Sequence, residues 1–211
     1  MPKIPAQTRL IIFDCDGVLV DSETLSNAVM AKALTAQGWP MTGAESMARF
    51  KGGHMRQVHA ALEAQLGRSL SRDWITEFDA ACQIALKEVK AVDGISSLIK
   101  RVETAGLSMC VASQGPHEKM AVTLKAAGFE KIFAGKIFSS RDVERPKPAP
   151  DLFLYAAQNC GVRPEHCLVI EDSNTGVAAA RAAAMPVIYL NAAGEKIDGA
   201  ETAYHPDEIS L

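Results

Sequence analysis

Apolar residues in this chain follow two rhythms. Short unbroken runs at Leu10–Phe13, Leu107–Ala112, Cys167–Ile170 and Pro186–Leu190, with a shorter one at Lys136–Ser139, have the length of buried strands. Between them apolar positions recur at helical spacing. From Ser22 to Gly38 they are Leu25, Val29 and Leu34, and Trp39-Pro40 ends that stretch. Three more helices are predicted around 42–49, 54–66 and 71–89, broken at Gly52-Gly53 and Gly67, with no strand among them. After Asp93-Gly94 the pattern changes. Helices are predicted over 95–105, closed by Gly106, and over 116–127, opened by Gly115-Pro116 and closed by Gly128. Two more are expected at 150–160 and in the Ala-rich stretch 174–184, whereas residues 192–211 give only weak signals.

Strands alternating with helices of ten to fifteen residues predict an α/β fold, a Rossmann-like parallel sheet with helices on both faces. The first strand lacks an immediate partner, because an all-helical block separates it from the second. The expected organisation is one α/β core formed by 1–20 and 91–211, with a helical insertion at 21–90. No internal repeat or low-complexity tract interrupts it.

Composition narrows the function more than the fold. The 211 residues are 48% hydrophobic and 22% charged, with a formal charge of -3 and no Lys/Arg block. Nucleic acid and anionic membrane are therefore not expected as partners. No apolar run approaches the roughly 20 residues of a membrane span. The stretch Met1–Pro5 lacks the apolar centre of a signal peptide. The five cysteines (15, 82, 110, 160, 167) are odd in number, scattered, and form no CxxC pair. That pattern argues against a disulfide framework or zinc site and fits a reducing cytoplasm. Cys110 and Cys167 lie within apolar runs and are expected to pack as small hydrophobes.

Ligands of open α/β sheets bind beyond the carboxyl ends of the strands, and each of the predicted strands runs out into polar residues. The first strand leads into Asp14-Cys15-Asp16-Gly17. Ionised carboxylates are costly to bury unpaired. Side chains two apart on an extended chain share a face, so Asp14 and Asp16 converge on one point if strand geometry persists. A hard cation with oxygen ligands would hold them there; an ordinary Asp/Gly turn is the plain alternative. The second strand delivers Ser113-Gln114-Gly115 and a helix start, which is either an anion site or simple capping. In Arg145-Pro146-Lys147-Pro148-Ala149-Pro150-Asp151 the alternating prolines restrict the backbone around Lys147. Its ammonium would suit a phosphoryl group, or be a solvated charge on a stiff loop. The fourth strand ends in Glu171-Asp172-Ser173, where Asp172 or Ser173 could cap the next helix. Glu171 and Asp172 can serve one site only if the chain turns there. Together these groups can bind one magnesium ion and one phosphoryl group, since Mg²⁺ takes one or two carboxylates plus water and substrate phosphate.

The four motifs, Asp14–Glu23, the serine at Ser113, Arg145–Asp151 and Ile170–Gly176, resemble those of the haloacid dehalogenase-like hydrolase superfamily over nearly the whole chain. The helical insertion is similar to that superfamily's α-helical cap, which should open and close over the site and exclude water. The resemblance implies that Asp14 is the nucleophile, forming an aspartyl-phosphate, and that Asp16 is the general acid and base. It implies phosphoryl binding by Ser113, with Gln114 beside it, and by Lys147. Mg²⁺ would be held by Asp14, Asp16 through its backbone carbonyl, Asp172 and Glu171.

Within the superfamily, an acid at Asp16 implies phosphoryl transfer rather than dehalogenation. The β-phosphoglucomutases carry a histidine where this chain has Ser26 and an arginine where it has Met55, so the resemblance favours a phosphatase with the mutase as alternative. Phe50–Gly53 and Met109–Pro116 are similar to bacterial sugar-phosphate phosphatases of the 6-phosphogluconate type. The expected substrate is a small phosphorylated metabolite, and the expected state a cytoplasmic monomer. A non-catalytic phosphate-ligand binder is the third reading. Arg49, Lys51, Gly52 and His54, with Arg56 and His59, are the cap candidates for meeting a substrate's polar end, although cations on solvated helices are commonplace. Cys15 should face away from the two aspartates and pack inward.

Overall fold

The computed structural model describes residues 1–50, 55–191 and 195–211. The chain divides into two compact units, one of Met1–Val20 with Lys90–Leu211 and the other of Asp21–Val89.

The first unit is built on six strands: β1 (Leu10–Phe13), β2 (Ser108–Ser113), β3 (Ile137–Ser139), β4 (Cys167–Glu171), β5 (Val187–Leu190) and β6 (Glu201–Ala203). They form one parallel sheet in the order β3-β2-β1-β4-β5-β6. Every residue of β1 and β4 is buried, which is why these strands read as unbroken apolar runs: a parallel sheet is covered on both faces. β1 lies between β2 and β4, with Ile12 opposite both Cys110 and Val169. Strand order reverses about β1, and a crevice opens beyond its carboxyl end at such a reversal.

The second unit is all helix among its described residues: α1 (Ser22–Ala36), α2 (Gly43–Phe50), α3 (Met55–Leu66) and α4 (Asp73–Ala85), followed by a single 3₁₀ turn at Leu86–Glu88. It has its own core, with Leu34, Trp39, Leu62 and Trp74 at the centre. The Trp74 indole N–H donates to His59 Nδ1 at 3.0 Å, and the two rings stack. His59 is thereby a buried packing residue and not a polar contact offered to a substrate. Arg49 lies over the Trp39 ring, 4.7 Å from its centroid, a cation–π contact.

The helices of the first unit are α5 (Ile95–Thr104), α6 (His117–Ala126), α7 (Asp151–Asn159) and α8 (Asn174–Ala182). Alternation along the strands sends Leu10, Ile12, Cys110, Ala112 and Val169 to one face. There they meet Phe153, Ala156 and Ala157 of α7 and Val177 and Ala180 of α8. Phe13 projects to the other face and meets Phe133 edge-on at 6.0 Å. Fully burying side chains of this kind contributes about 1.5–3 kcal/mol each before entropy is counted.

The predicted α/β architecture is the observed one, with local differences. β2 and β4 each continue one residue further, through Ser113 and Glu171, and β6 lies in the stretch that gave only weak signals. That strand is a three-residue edge on which only Ala203 is buried, so it carries no hydrophobic period to detect. No described helix is long and apolar enough to cross a membrane.

Candidate active site

β1 stops at Phe13, but the Asp14 N–H still donates to the Ile170 carbonyl at 2.9 Å, so Asp14 leaves the sheet beside β4. The chain then closes a tight loop. Leu19 and Val20 N–H groups return to the Cys15 carbonyl, and Gly17 N–H reaches Val20. Gly17 adopts φ +80° there, in the left-handed region that glycine enters without cost. Strand geometry therefore does not persist through Asp16, and the two aspartates take different partners. Asp14 turns to Lys147. Asp16 turns to the first turn of α6, where Lys119 donates to its Oδ2 at 2.8 Å. Cys15 points the other way, its sulfur 3.8 Å from the Thr123 hydroxyl, and burial with the neighbouring Asp16 and Asp14 charges pushes its thiol well up.

The centre of the site is an ion triad. Lys147 Nζ donates to Asp14 Oδ1 at 2.6 Å and to Glu171 Oε1 at 2.7 Å, with 1% of its side chain exposed. The same ammonium lies 4.7 Å from the centroid of the Phe153 ring on α7. Its backbone carbonyl accepts from the Gln114 side chain at 3.2 Å, which ties the Lys147 segment to the loop after β2. That loop is fixed in turn from β3: Ser139 Oγ donates to the Gly115 carbonyl and Ser140 Oγ to that of Gln114, both at 2.8 Å. Ser113, the last residue of β2, is buried and accepts the Gly115 N–H at 3.2 Å, leaving its hydroxyl proton to give to an acceptor.

The end of β4 resolves which of the two adjacent carboxylates does what. Glu171 is still in the strand and fully inside. Its Oε1 takes Lys147, and its Oε2 takes the Ser173 N–H and hydroxyl at 2.7 and 2.8 Å. Ser173 then caps α8 through Gly176 N–H. A methyl on Gly176 would sit 1.7 Å from Glu171 Oε1, so only glycine leaves room for that carboxylate. Asp172 is not the helix cap. Its carboxylate lies against Gly17, where an added methyl would be 1.9 Å from Oδ2. Asp172 thus joins the loop carrying Asp14 and Asp16.

One ammonium among these buried carboxylates leaves an excess of negative charge. Burial raises Asp14 from 3.8 to about 7; Lys147 pulls it down, while Glu171 and Asp16 add to the rise. Burial works against the Lys147 ammonium too, but Asp14 and Glu171 more than offset it, and Lys147 is held above its ordinary value.

Among the described residues no three His, Cys, Asp or Glu side chains surround a single point as ligands. A magnesium ion does not need three, since one or two carboxylates with water and substrate oxygens complete its shell. The oxygen donors at this loop fit that ion. Asp14 and Asp172 flank the Gly17 loop, and the Asp16 backbone carbonyl lies in the loop itself. Glu171 stands one step back, both of its oxygens engaged by Lys147 and Ser173. Asp14, Ser113, Gln114, Lys147, Glu171 and Asp172 all lie at the carboxyl ends of β1, β2 and β4 or in the segment reaching them. Arg49 belongs to the helical unit, and Lys51, Gly52 and His54 lie outside the described residues. Sequence reasoning passed over Lys119, whose only signal is a place one turn beyond Gly115-Pro116, on a helix that begins at the site.

Comparisons with known proteins identify the family. The model of a hydrolase family, haloacid dehalogenase-like hydrolase, matches residues 8–184. The 6-phosphogluconate phosphatase of Escherichia coli strain K12 is 29% identical over 187 residues, spanning 88% of this chain and 83% of that protein. Hexitol phosphatase A of the same organism is 30% identical over 185 residues, spanning 86% and 82%. Among solved structures, a family hydrolase from Deinococcus radiodurans R1 with bound phosphate and sodium superposes with a TM-score of 0.84. It is 29% identical, and the match covers 97% of this chain and 94% of that one.

Proposed function

The chain belongs to the haloacid dehalogenase-like hydrolase family and is a phosphoric monoester hydrolase, and on that premise we propose that it is a Mg²⁺-dependent phosphatase acting on a small phosphorylated sugar or sugar acid through an aspartyl-phosphate. The observation that carries this reading is the buried contact of Asp14 with Lys147, beside an Asp16 paired with Lys119. A carboxylate nucleophile and a separate proton carrier are what covalent hydrolysis requires.

In the first step an Asp14 oxygen attacks phosphorus, and the bond to the ester oxygen breaks. Asp16 gives its proton to the departing alkoxide. In the second step Asp16 takes a proton from water as that water attacks phosphorus, releasing phosphate and restoring the Asp14 carboxylate. Lys147 and the Ser113 hydroxyl neutralise the transferring phosphoryl group. Asp14, Asp172 and the Asp16 carbonyl would hold Mg²⁺, which would supply positive charge against the repulsion between the nucleophile and an anionic phosphate. Glu171 keeps Lys147 in place, and Gln114 fixes the segment that carries it. Residues 21–90 serve as the cap that selects the metabolite, with Arg49, Lys51, Gly52 and His54 as its candidate contacts. The names of the relatives support a sugar-phosphate substrate, the scattered cysteines suit a reducing cytoplasm, and a monomer is the expected state.

A panel of phosphorylated metabolites, assayed with Mg²⁺ and again with a chelator, tests this directly. Phosphate release from sugar or sugar-acid phosphates, lost on chelation, is expected, together with a phosphoryl adduct on the Asp14 peptide after acid quench. Conversion of β-glucose 1-phosphate to glucose 6-phosphate without free phosphate would show a mutase instead. No turnover even of an aryl phosphate would leave a non-catalytic binder.

A further inference from the structure

β3 is an outer strand of the sheet, and the 3₁₀ turn that follows it, Ser140–Asp142, meets the first residue of α6. Asp142 makes the junction. Its Oδ2 accepts the Ser139 N–H at 2.7 Å as part of a capping box, and its two oxygens lie 2.9 and 3.0 Å from His117 Nε2. Burial works to raise Asp142, but the Ser139 N–H and His117 more than offset it and hold the carboxyl below its usual value. An ionised carboxylate only accepts, so His117 Nε2 is the donor. Ser139 is fully buried, pairs in register with Ser113, and donates its hydroxyl to the Gly115 carbonyl at 2.8 Å. Contacts thus run from His117 to Asp142, from Asp142 to Ser139 and from Ser139 back to Gly115, a ring closed by the chain from Gly115 to His117. Just outside it, Gln114 receives the Ser140 hydroxyl on its carbonyl and sends its side chain to the Lys147 carbonyl. Arg141 and Glu118 join the same two elements, but with 63% and 76% of their side chains exposed, where an ion pair holds little.

We propose that Asp142 and His117 are positioning residues for phosphoryl transfer, their ion pair clamping the loop that presents Ser113 and Gln114, an assignment that rests on the phosphatase reading of the site. Neither side chain need touch substrate. The Ser113 hydroxyl and the Lys147 ammonium act on charge that develops as phosphorus changes partners, so their value depends on fixed placement. A displacement of about 1 Å at such a group costs on the order of a hundredfold in rate. Releasing Asp142 frees the Ser139 N–H and the start of α6 together, which slackens the loop at both ends. Because Gln114 also holds the Lys147 segment, the slack passes from one phosphoryl-binding group to the other. Interactions made mainly in the transition state lower kcat when lost and leave KM nearly in place.

The test pairs steady-state hydrolysis of an aryl phosphate with calorimetric binding of orthovanadate, both on the full chain with Mg²⁺. Asp142→Ala and His117→Ala should each lower kcat by about tenfold or more, with KM moved less than about threefold, and weaken orthovanadate by a similar factor. His117→Gln, which keeps an N–H donor at similar reach, should recover most of both losses. Arg141→Ala should match the wild type in both. If Asp142→Ala does not fold, His117→Ala, on the more exposed side of the pair, decides. Wild-type kcat and orthovanadate affinity in His117→Ala, no recovery in His117→Gln, or an equal loss in Arg141→Ala would overturn the clamp while leaving the phosphatase reading intact. A wild-type chain without turnover that still binds orthovanadate about tenfold more tightly than His117→Ala would sink hydrolysis and keep the clamp.

Discussion

Lys147 donates to both Asp14 and Glu171 while almost none of its side chain meets solvent, so three ionisable groups share a space that water does not screen. The folded protein holds a proton on Asp14 that the unfolded chain releases near pH 4. The stability contributed by that group is therefore full below about pH 4 and is lost as pH rises through about 7. Asp14→Asn removes the excess charge and leaves Lys147 paired with Glu171 alone. Without divalent cation, its Tm should exceed that of the wild type by ~5 °C at about pH 8, a gain that shrinks toward about pH 5. Thermal melts at the two pH values check this, and the same variant should show no turnover. Lys147→Met acts in the opposite sense. It strands two carboxylates, and denaturant titration should show a loss of about 3–5 kcal/mol with hydrolysis abolished. Lys119 is partly exposed and its ion pair adds little stability, yet it orients the proposed proton carrier. Lys119→Met is expected to lower kcat by about tenfold at nearly unchanged KM and Tm, a split that steady-state kinetics with melting curves will reveal.

The turn from β4 into α8 shows how one element sets several residues at once. Because the strand runs through Glu171, that side chain lands inside against Lys147, and the turn just after it sends Asp172 to the Gly17 loop. Gly176→Ala would place a methyl on the Glu171 carboxylate. A Tm drop of several degrees and at least about a tenfold loss of activity are expected, measurable on the same preparation. This turn also marks where sequence reading stopped. The strands were legible because a sheet covered on both faces demands unbroken apolar runs, and polar groups at their ends stand out against them. Asp14 and the Glu171-Asp172 pair were visible for that reason, and Lys147 because alternating prolines stiffen the segment around it. Which carboxylate faces which partner depended on where β4 ends and how sharply Gly17 turns, and neither is written in a hydrophobic pattern. Lys119 resembles any lysine on a helix. His59 has the look of a surface cation in the sequence, and only the fold stacks it on Trp74, fifteen residues later.

Each of the two compact units contains its own apolar core, and the sheet closes around β1 without residues 21–89. The chain leaves and re-enters the first unit at one place. Val20 bridges Ala91 in antiparallel fashion, and Val92 N–H donates to the Leu19 carbonyl at 3.1 Å. Loop-closure entropy grows only slowly with length, about 0.6 kcal/mol per doubling. Replacing 21–89 by a short Gly/Ser linker should leave a sheet unit that still melts cooperatively, as near-UV circular dichroism would record. The same two-stranded stem makes residues 20 and 91 a socket: a foreign module whose ends lie a hairpin's width apart can be seated there without shifting the register of any strand. Chimaeras carrying helical modules from relatives should therefore keep one phosphate chemistry while trading metabolite preference, a form of inheritance in which specificity is exchanged as a part and not rebuilt residue by residue.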